Sequence, residues 1–222
     1  MNCSLSEVQA LAAKAARGSG YDWGLADEAG VAVRWLCAAG LDGCGALAGL
    51  LGSLAESPDD GKTFGSGTPG PPDVADSAWV SETGRLCPIR AGAALSDFAF
   101  LLGRHGLTMT AVAWPLLLLP FVSAASRQLQ TPLDVTWDRS NCCIDGHDVR
   151  GLRAGDGVNP PTAARVRVHP GRGLGQAWVR RSRTEPDAGD WEILYRFAAR
   201  TYAPATEESR ILGAGAGLID SD

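Results

Sequence analysis

Residues 58–77 constrain this chain more than any other stretch. From Pro58 to Asp76 the sequence is rich in Gly, Pro, Asp and Ser and has no apolar period. Such a stretch cannot supply a buried face, so it reads as a long loop or linker. It divides the 222 residues into a helical unit at 1–57, the break at 58–77, and an α+β core at 78–222 with a Gly-rich acidic tail. Loops this long inside a domain are uncommon and tend to be functional or disordered, which leaves a lid and a linker both open.

Before the break the apolar period is helical. Ser4-Leu5-Ser6-Glu7 fits a capping box, and Leu5, Val8, Leu11, Ala12 and Ala15 follow at helical spacing up to Gly18-Ser19-Gly20. A second helix is predicted over 23–39. Gly24 and Gly30 each weaken it by about 1 kcal/mol relative to Ala, so their presence points to a helix packed close against it. A third is predicted over 44–55.

After the break the pattern alternates. Strands are predicted at 85–89, 107–113, 133–137, 141–144 and 147–152, with Asp145-Gly146 signalling a type I′ hairpin. A further hairpin is predicted from 165–169 and 176–181 around the turn 170–175. Helices are predicted over 96–104, with Ser96 as N-cap, over 120–130 and over 191–202. The expected fold is α+β: an N-terminal helical unit followed by a mostly antiparallel sheet with packed helices.

Composition narrows the function classes. Apolar residues make up 45% and charged residues 20%, ordinary for a globular domain. A net charge of −5 argues against a nucleic-acid partner. The bases are nearly all Arg, with Lys14 and Lys62 as the lysines, which reads as the product of a GC-rich bacterial gene. The start of the chain does not look like a signal peptide, and the six cysteines have no disulfide pattern, so a cytoplasmic protein with free thiols is expected. The apolar run from Ala111 to Ala125 is too short for a span of about 20 residues and contains Pro115 and Pro120, so no membrane is expected.

Neither a metal nor a cofactor is expected. Cys142 and Cys143 stand beside His147 and Asp148, but adjacent strand residues point to opposite faces and cannot readily share one ion. The runs 171–175 and 213–217 are glycine-rich, yet neither follows a strand and opens a helix as a phosphate loop must. Both read as turns.

Three stretches together resemble a bacterial family known as a domain of unknown function, over essentially the whole chain. They are Ala15-Ala16-Arg17-Gly18 with Trp23-Gly24-Leu25-Ala26-Asp27-Glu28-Ala29-Gly30, then Ala91 to Asp97, then Gly213 to Asp222. That resemblance implies no chemistry. The layout up to Asp42-Gly43-Cys44-Gly45 is also faintly similar to the non-Rossmann malate/lactate dehydrogenase family, without the histidine that family carries in this turn.

Two function classes stay open. One is a small-molecule metabolic enzyme, or the partner subunit of one, using acid–base chemistry on an anionic substrate. Its candidate catalytic residues are Asp27, Glu28, Asp97, Asp220 and Asp222. The last two would be delivered by a tail folding back on its glycines. Arg165, Arg167 and Arg180, from a basic cluster running from Arg150 to Arg183, would bind the substrate. The other class is a non-catalytic binding or regulatory protein. A small-molecule ligand is compatible with both, as is a protein partner or a second copy.

Overall fold

In a computed structural model the described residues are 2–55, 73, 78–153 and 157–202. Helix α1 (Leu5–Gly18) opens on the expected capping box: the Glu7 N–H donates to Ser4 Oγ at 3.2 Å, and the Ser4 N–H donates to Glu7 Oε2 at 2.7 Å. Helix α2 (Trp23–Ala38) is capped by Asp22, which accepts the Leu25 N–H at 2.8 Å. Asp42 accepts the Gly45 N–H at 2.8 Å at the start of α3 (Gly43–Ala55). Gly30 explains the small residues in α2. A Cβ there would stand 2.8 Å from the Gln9 carbonyl oxygen and 2.9 Å from Ala13 Cβ, so α1 and α2 cross nearly backbone to backbone.

The helical unit gains a member from the other end of the described chain. Helix α7 (Ala188–Ala199) packs on α1 and α3, burying Leu194, Phe197 and Ala198. It had been expected from Trp191 onwards and on the sheet. Asp187 starts it earlier by accepting the N–H groups of Gly189 and Asp190 at 2.7 and 3.2 Å. Its place on the helices follows from Gly18, whose missing side chain makes room for the Phe197 carbonyl. Strands β1 (Cys3–Ser4) and β8 (Arg183–Thr184) pair antiparallel against α1 and α2.

The main sheet contains β2 (Ala78–Trp79), β3 (Leu107–Ala113), β4 (Leu133–Trp137), β5 (Ser140–Asp145), β6 (Asp148–Arg153) and β7 (Thr162–Pro170). Their order is β2-β3-β7-β4-β5-β6, antiparallel throughout except for the parallel β2–β3 pair. The α+β class with N-terminal helices preceding a mostly antiparallel sheet is therefore correct. One face buries Met109, Val135, Trp137, Ile144, Val166 and Val168. On that side lies α6 (Leu119–Leu129), in contact with β4, β5 and α4 (Pro88–Asp97), while the short α5 (Leu102–His105) leads into β3. Ser123 and Ser126 pin α6 to the β5–β6 turn: Ser123 Oγ donates to the Gly146 carbonyl at 2.7 Å, and Ser126 Oγ accepts the Gly146 N–H at 3.0 Å. Residues of both units enter one continuous hydrophobic core.

Several local expectations need correction. Residues 85–89 are not a strand; Leu86 makes one bridge to Val112, and Pro88 at the first helical position starts α4. Ser96 is therefore inside α4 rather than at an N-cap, with its hydroxyl bonded back to the Gly92 carbonyl at 3.2 Å. The β5–β6 loop is Gly146-His147, since Asp145 faces Asp148. Only Gly146 has positive φ there (58°), whereas a type I′ turn needs it at both positions. Residues 176–181 do not pair with β7, because β3 and β4 already occupy both of its edges. They run past β6 instead, where the Trp178 N–H donates to the Val149 carbonyl at 2.9 Å. Of the break at 58–77 only Asp73 is described, bridged to Val80. No helix among the described residues is long and apolar enough to cross a membrane.

Candidate functional site

The predicted site residues fall in three places. Asp27 and Glu28 are exposed on α2, and Asp97 is exposed at the end of α4. Arg165 and Arg167 are exposed on β7. Their neighbours Val166 and Val168 point into the core, so the alternation of a strand turns the arginines to the face away from α6. The structure does not bring these carboxylates and arginines together. Asp220 and Asp222 lie outside the described residues. Arg180 is separate again: it donates to the His147 carbonyl at 2.8 Å and stands over the Trp35 ring at 5.9 Å.

Register builds a polar surface around Arg165 and Arg167. Arg165 lies opposite Thr110, and Arg167 lies between Thr108 and Thr136. His169 faces Asp134, Asp134 faces Cys143, and Cys143 faces Arg150. Asp134, Thr136, Asn141, Cys143, Arg150 and His169 line a cavity of about 230 Å³ on this face, with Leu174 at its rim. The turn from Pro170 closes over one end. Its Gly171 N–H donates to the Pro132 carbonyl at 2.7 Å, and a side chain at Gly171 would collide with the Asp134 carboxylate.

The arginines of the basic cluster are not equivalent. Arg150 holds Asp145 at 3.1 Å and Asp148 at 3.7 Å, yet its Nε is buried without a partner. Arg183 donates to Asn2. Arg165 and Arg167 form no ion pair among the described residues. Three guanidinium groups on one face thus retain unused donors.

The other polar groups here are held in defined states. His169 Nδ1 lies 3.1 Å from the Pro170 carbonyl. A carbonyl only accepts, so Nδ1 is the donor in this contact. Burial pushes the Cys143 thiol up to about 11, helped by its hydrogen bond to the Asp134 carboxylate and by that charge. Cys143 is therefore a neutral donor to Asp134 near pH 7. Cys142 faces the opposite way, into the core against Val135, as strand geometry requires. Among the described residues no three His, Cys, Asp or Glu side chains are grouped to hold a metal ion.

The comparisons bear on the N-terminal part of the chain. Residues 3–97 match a family described as protein of unknown function, DUF3726. The match takes in α1 to α4 and two of the three stretches that carried the resemblance; the third, 213–222, lies beyond it and outside the described residues. The candidate face, on β3 to β7, also lies beyond it. No curated protein and no solved structure matches the chain, so the malate/lactate dehydrogenase likeness gains no support.

A second cavity, of about 400 Å³, lies where the α2–α3 turn meets the sheet, lined mostly by Leu41, Leu116, Leu152, Val158 and Trp178. Asp42 and Asn159 are its polar groups, and Asn159 Oδ1 is buried without a partner. Asp190 comes close to Asp42 above Gly45, where an added Cβ would stand 2.9 Å from Asp190 Oδ2. Burial, then the charges of Asp42 and Asp187, raise the Asp190 carboxyl above its ordinary 3.8. Sequence reasoning missed Asp42 and Asp190, since only the return of α7 to α3 brings them together. It also passed over Asp134, and named Arg150 only as one member of the basic cluster. The Asp145–Asp148 hairpin held a signal for these, because its register sets Arg150 beside Cys143.

Proposed function

We propose that the protein binds a small anionic molecule on the open face of its sheet, as a binding or regulatory protein of the bacterial cytoplasm or the non-catalytic partner of a metabolic enzyme. One observation carries this reading: among the described residues Arg165 and Arg167 form no ion pair, and they share a sheet face with a cavity lined by Arg150, whose buried Nε–H has no acceptor. A buried donor without a partner costs about 1–3 kcal/mol, and a carboxylate or phosphate oxygen would recover that cost. Threonine hydroxyls at 108, 110 and 136 add neutral donors along the same row. Asp134, whose charge opposes an anion, is engaged by the Cys143 thiol. The exposed apolar side chain of Leu174 at the rim supports a protein partner that covers the ligand.

The test is a thermal-shift titration with inorganic phosphate, a dicarboxylate and a nucleoside monophosphate. At a hundredfold excess over Kd, a true ligand stabilises by about 2.7 kcal/mol. Saturable stabilisation by one of these, lost in Arg165→Ala/Arg167→Ala, supports the proposal. If no anion stabilises, or the double variant responds unchanged, it fails.

The acid–base reading keeps one support, the Asp42–Asp190 pair beside the apolar cavity. Two carboxylates at close range raise the proton affinity of one, which suits a general acid. An NMR titration placing the Asp190 carboxyl at or below 3.8 would remove that support.

A further inference from the structure

We propose that the helical unit holds a second ligand site, which takes an aromatic ring bearing a carboxylate or phosphate group. The site is a cavity of about 430 Å³ where α1 and α7 end side by side, lined by Arg17, Gly18, Gly20, Trp23, Arg200 and Thr201. It shares no residue with the cavity on the sheet face. Arg17, Gly18 and Trp23 belong to the stretches that carried the family resemblance and lie within the family match, and anion binding on the sheet leaves them without a role.

Two glycines shape the cavity. At Gly18 a side chain would collide with the Phe197 carbonyl, so the ends of α1 and α7 meet at backbone distance. Gly20 then turns the chain away at φ 106°, a conformation that suits glycine, and faces open space. The turn delivers Trp23, the first residue of α2, to the edge of the gap.

Charge decides what this gap attracts. Its lining contains two guanidinium groups and no carboxylate. Arg17 donates to the Tyr21 carbonyl at 2.7 Å, which fixes the group and leaves its other N–H donors without an acceptor among the described residues. Arg200 stands over the Phe197 ring at 4.5 Å, and its guanidinium likewise has no acceptor among them. Lys14, one turn back on α1 and 5.5 Å from the Tyr202 ring centroid, adds a third cation. Opposing them are two helix C-termini, each worth roughly half a negative charge. Their last carbonyls are already occupied, since Ala16 and Ala198 accept from the N–H groups of Tyr21 and Thr201. The full charges of the arginines outweigh these partial ones, so the cavity selects an anion.

Trp23 supplies the second half of the specificity. The Arg17 guanidinium lies over its ring at 4.7 Å, yet the side chain is still 70% exposed. One face of the indole is thus held by a cation, while the other is open to a stacked ring. An anion alone would engage the arginines and leave Trp23 uncovered. A neutral ring would cover Trp23 and leave the arginines unused. An aromatic anion does both.

The experiment titrates the isotope-labelled full-length protein with adenosine monophosphate and with benzoate, following the indole N–H signals by NMR. The chain has seven tryptophans, and the signal missing from Trp23→Phe identifies Trp23. That signal should move saturably with at least one of the two ligands, while the signal of buried Trp137 stays in place. Adenosine, benzamide and inorganic phosphate, each lacking one half of the ligand, should bind at least about tenfold more weakly. Trp23→Ala and Arg200→Ala alter exposed side chains, so the fold tolerates them, and each should weaken binding by about tenfold or more. Arg165→Ala/Arg167→Ala should leave this affinity unchanged, which separates the site from the one on the sheet. A Trp23 signal that neither ligand moves would overturn the proposal. So would inorganic phosphate binding as tightly as adenosine monophosphate, or an affinity that survives both Trp23→Ala and Arg200→Ala.

Discussion

The two faces of the main sheet come from the same strands and differ in almost everything else. On β7, Val166 and Val168 enter the core, while Arg165, Arg167 and His169 stand on the other side. The inner face is closed by α6 and holds the fold together. The outer face carries guanidinium, imidazole, carboxylate and thiol groups in register. A period of two thus separates stability from chemistry within single strands. Substitutions one residue apart should therefore have effects of different kinds.

The sharpest contrast is at Trp137. Its side chain is 1% exposed on the inner face, and its Nε1–H donates to the Val158 carbonyl at 3.0 Å. Trp137→Ala should cost about 3–5 kcal/mol, from lost burial and the cavity left behind. The unpaired Val158 carbonyl adds to it. Denaturant unfolding measures this; a loss below about 1 kcal/mol would mean that the inner face is not what holds the sheet.

A smaller effect tests the outer face through pH. The Cys143 thiol has its pKa raised from an ordinary 9.0 to about 11, so the folded state holds this proton more tightly than the unfolded chain does. Its contribution to stability is complete below pH 9.0 and is lost as pH rises through about 11. Tyr21, Cys87 and Cys142, also raised by burial, weaken the fold in the same direction. Asp134→Asn removes the carboxylate that holds the Cys143 proton. The variant should therefore lose less stability than wild type between neutral pH and pH 11. Parallel melting curves against pH would uncouple Asp134 from Cys143 if the two proteins declined alike.

The smallest expected effect is on the arginines. Arg165→Ala/Arg167→Ala should change stability by no more than about 0.5 kcal/mol per site, because both side chains are exposed and unpaired among the described residues. A large loss would show that these arginines serve the fold, and the separation between the faces would break down.

Some of this was legible from residue order alone. The capping box at Ser4 and Glu7, the three N-terminal helices, the strands at 107–113 and 133–137, and the β5–β6 hairpin rest on contacts within a few residues. Local chemistry suffices for them. The opposite orientations of Cys142 and Cys143 likewise follow from the pleat. The alternation of Arg165 and Arg167 with Val166 and Val168 also follows from the pleat, but not the partners that surround the arginines.

Those partners depend on which strands lie side by side. Asp134, His169, Cys143 and Arg150 come from four strands, and only the order β7-β4-β5-β6 sets them across one surface. The same holds for Asp42 with Asp190, a pair far apart in sequence. The sequence by itself determined the helices, the turns and the alternation of β7, because propensity, capping and periodicity act over short range. Only the tertiary structure decided that α7 joins the N-terminal helices, that 176–181 leaves β7 for β6, and which side chains share a cavity. Those outcomes depend on burying apolar faces against distant partners, and the period of a single segment does not say which partner it will meet.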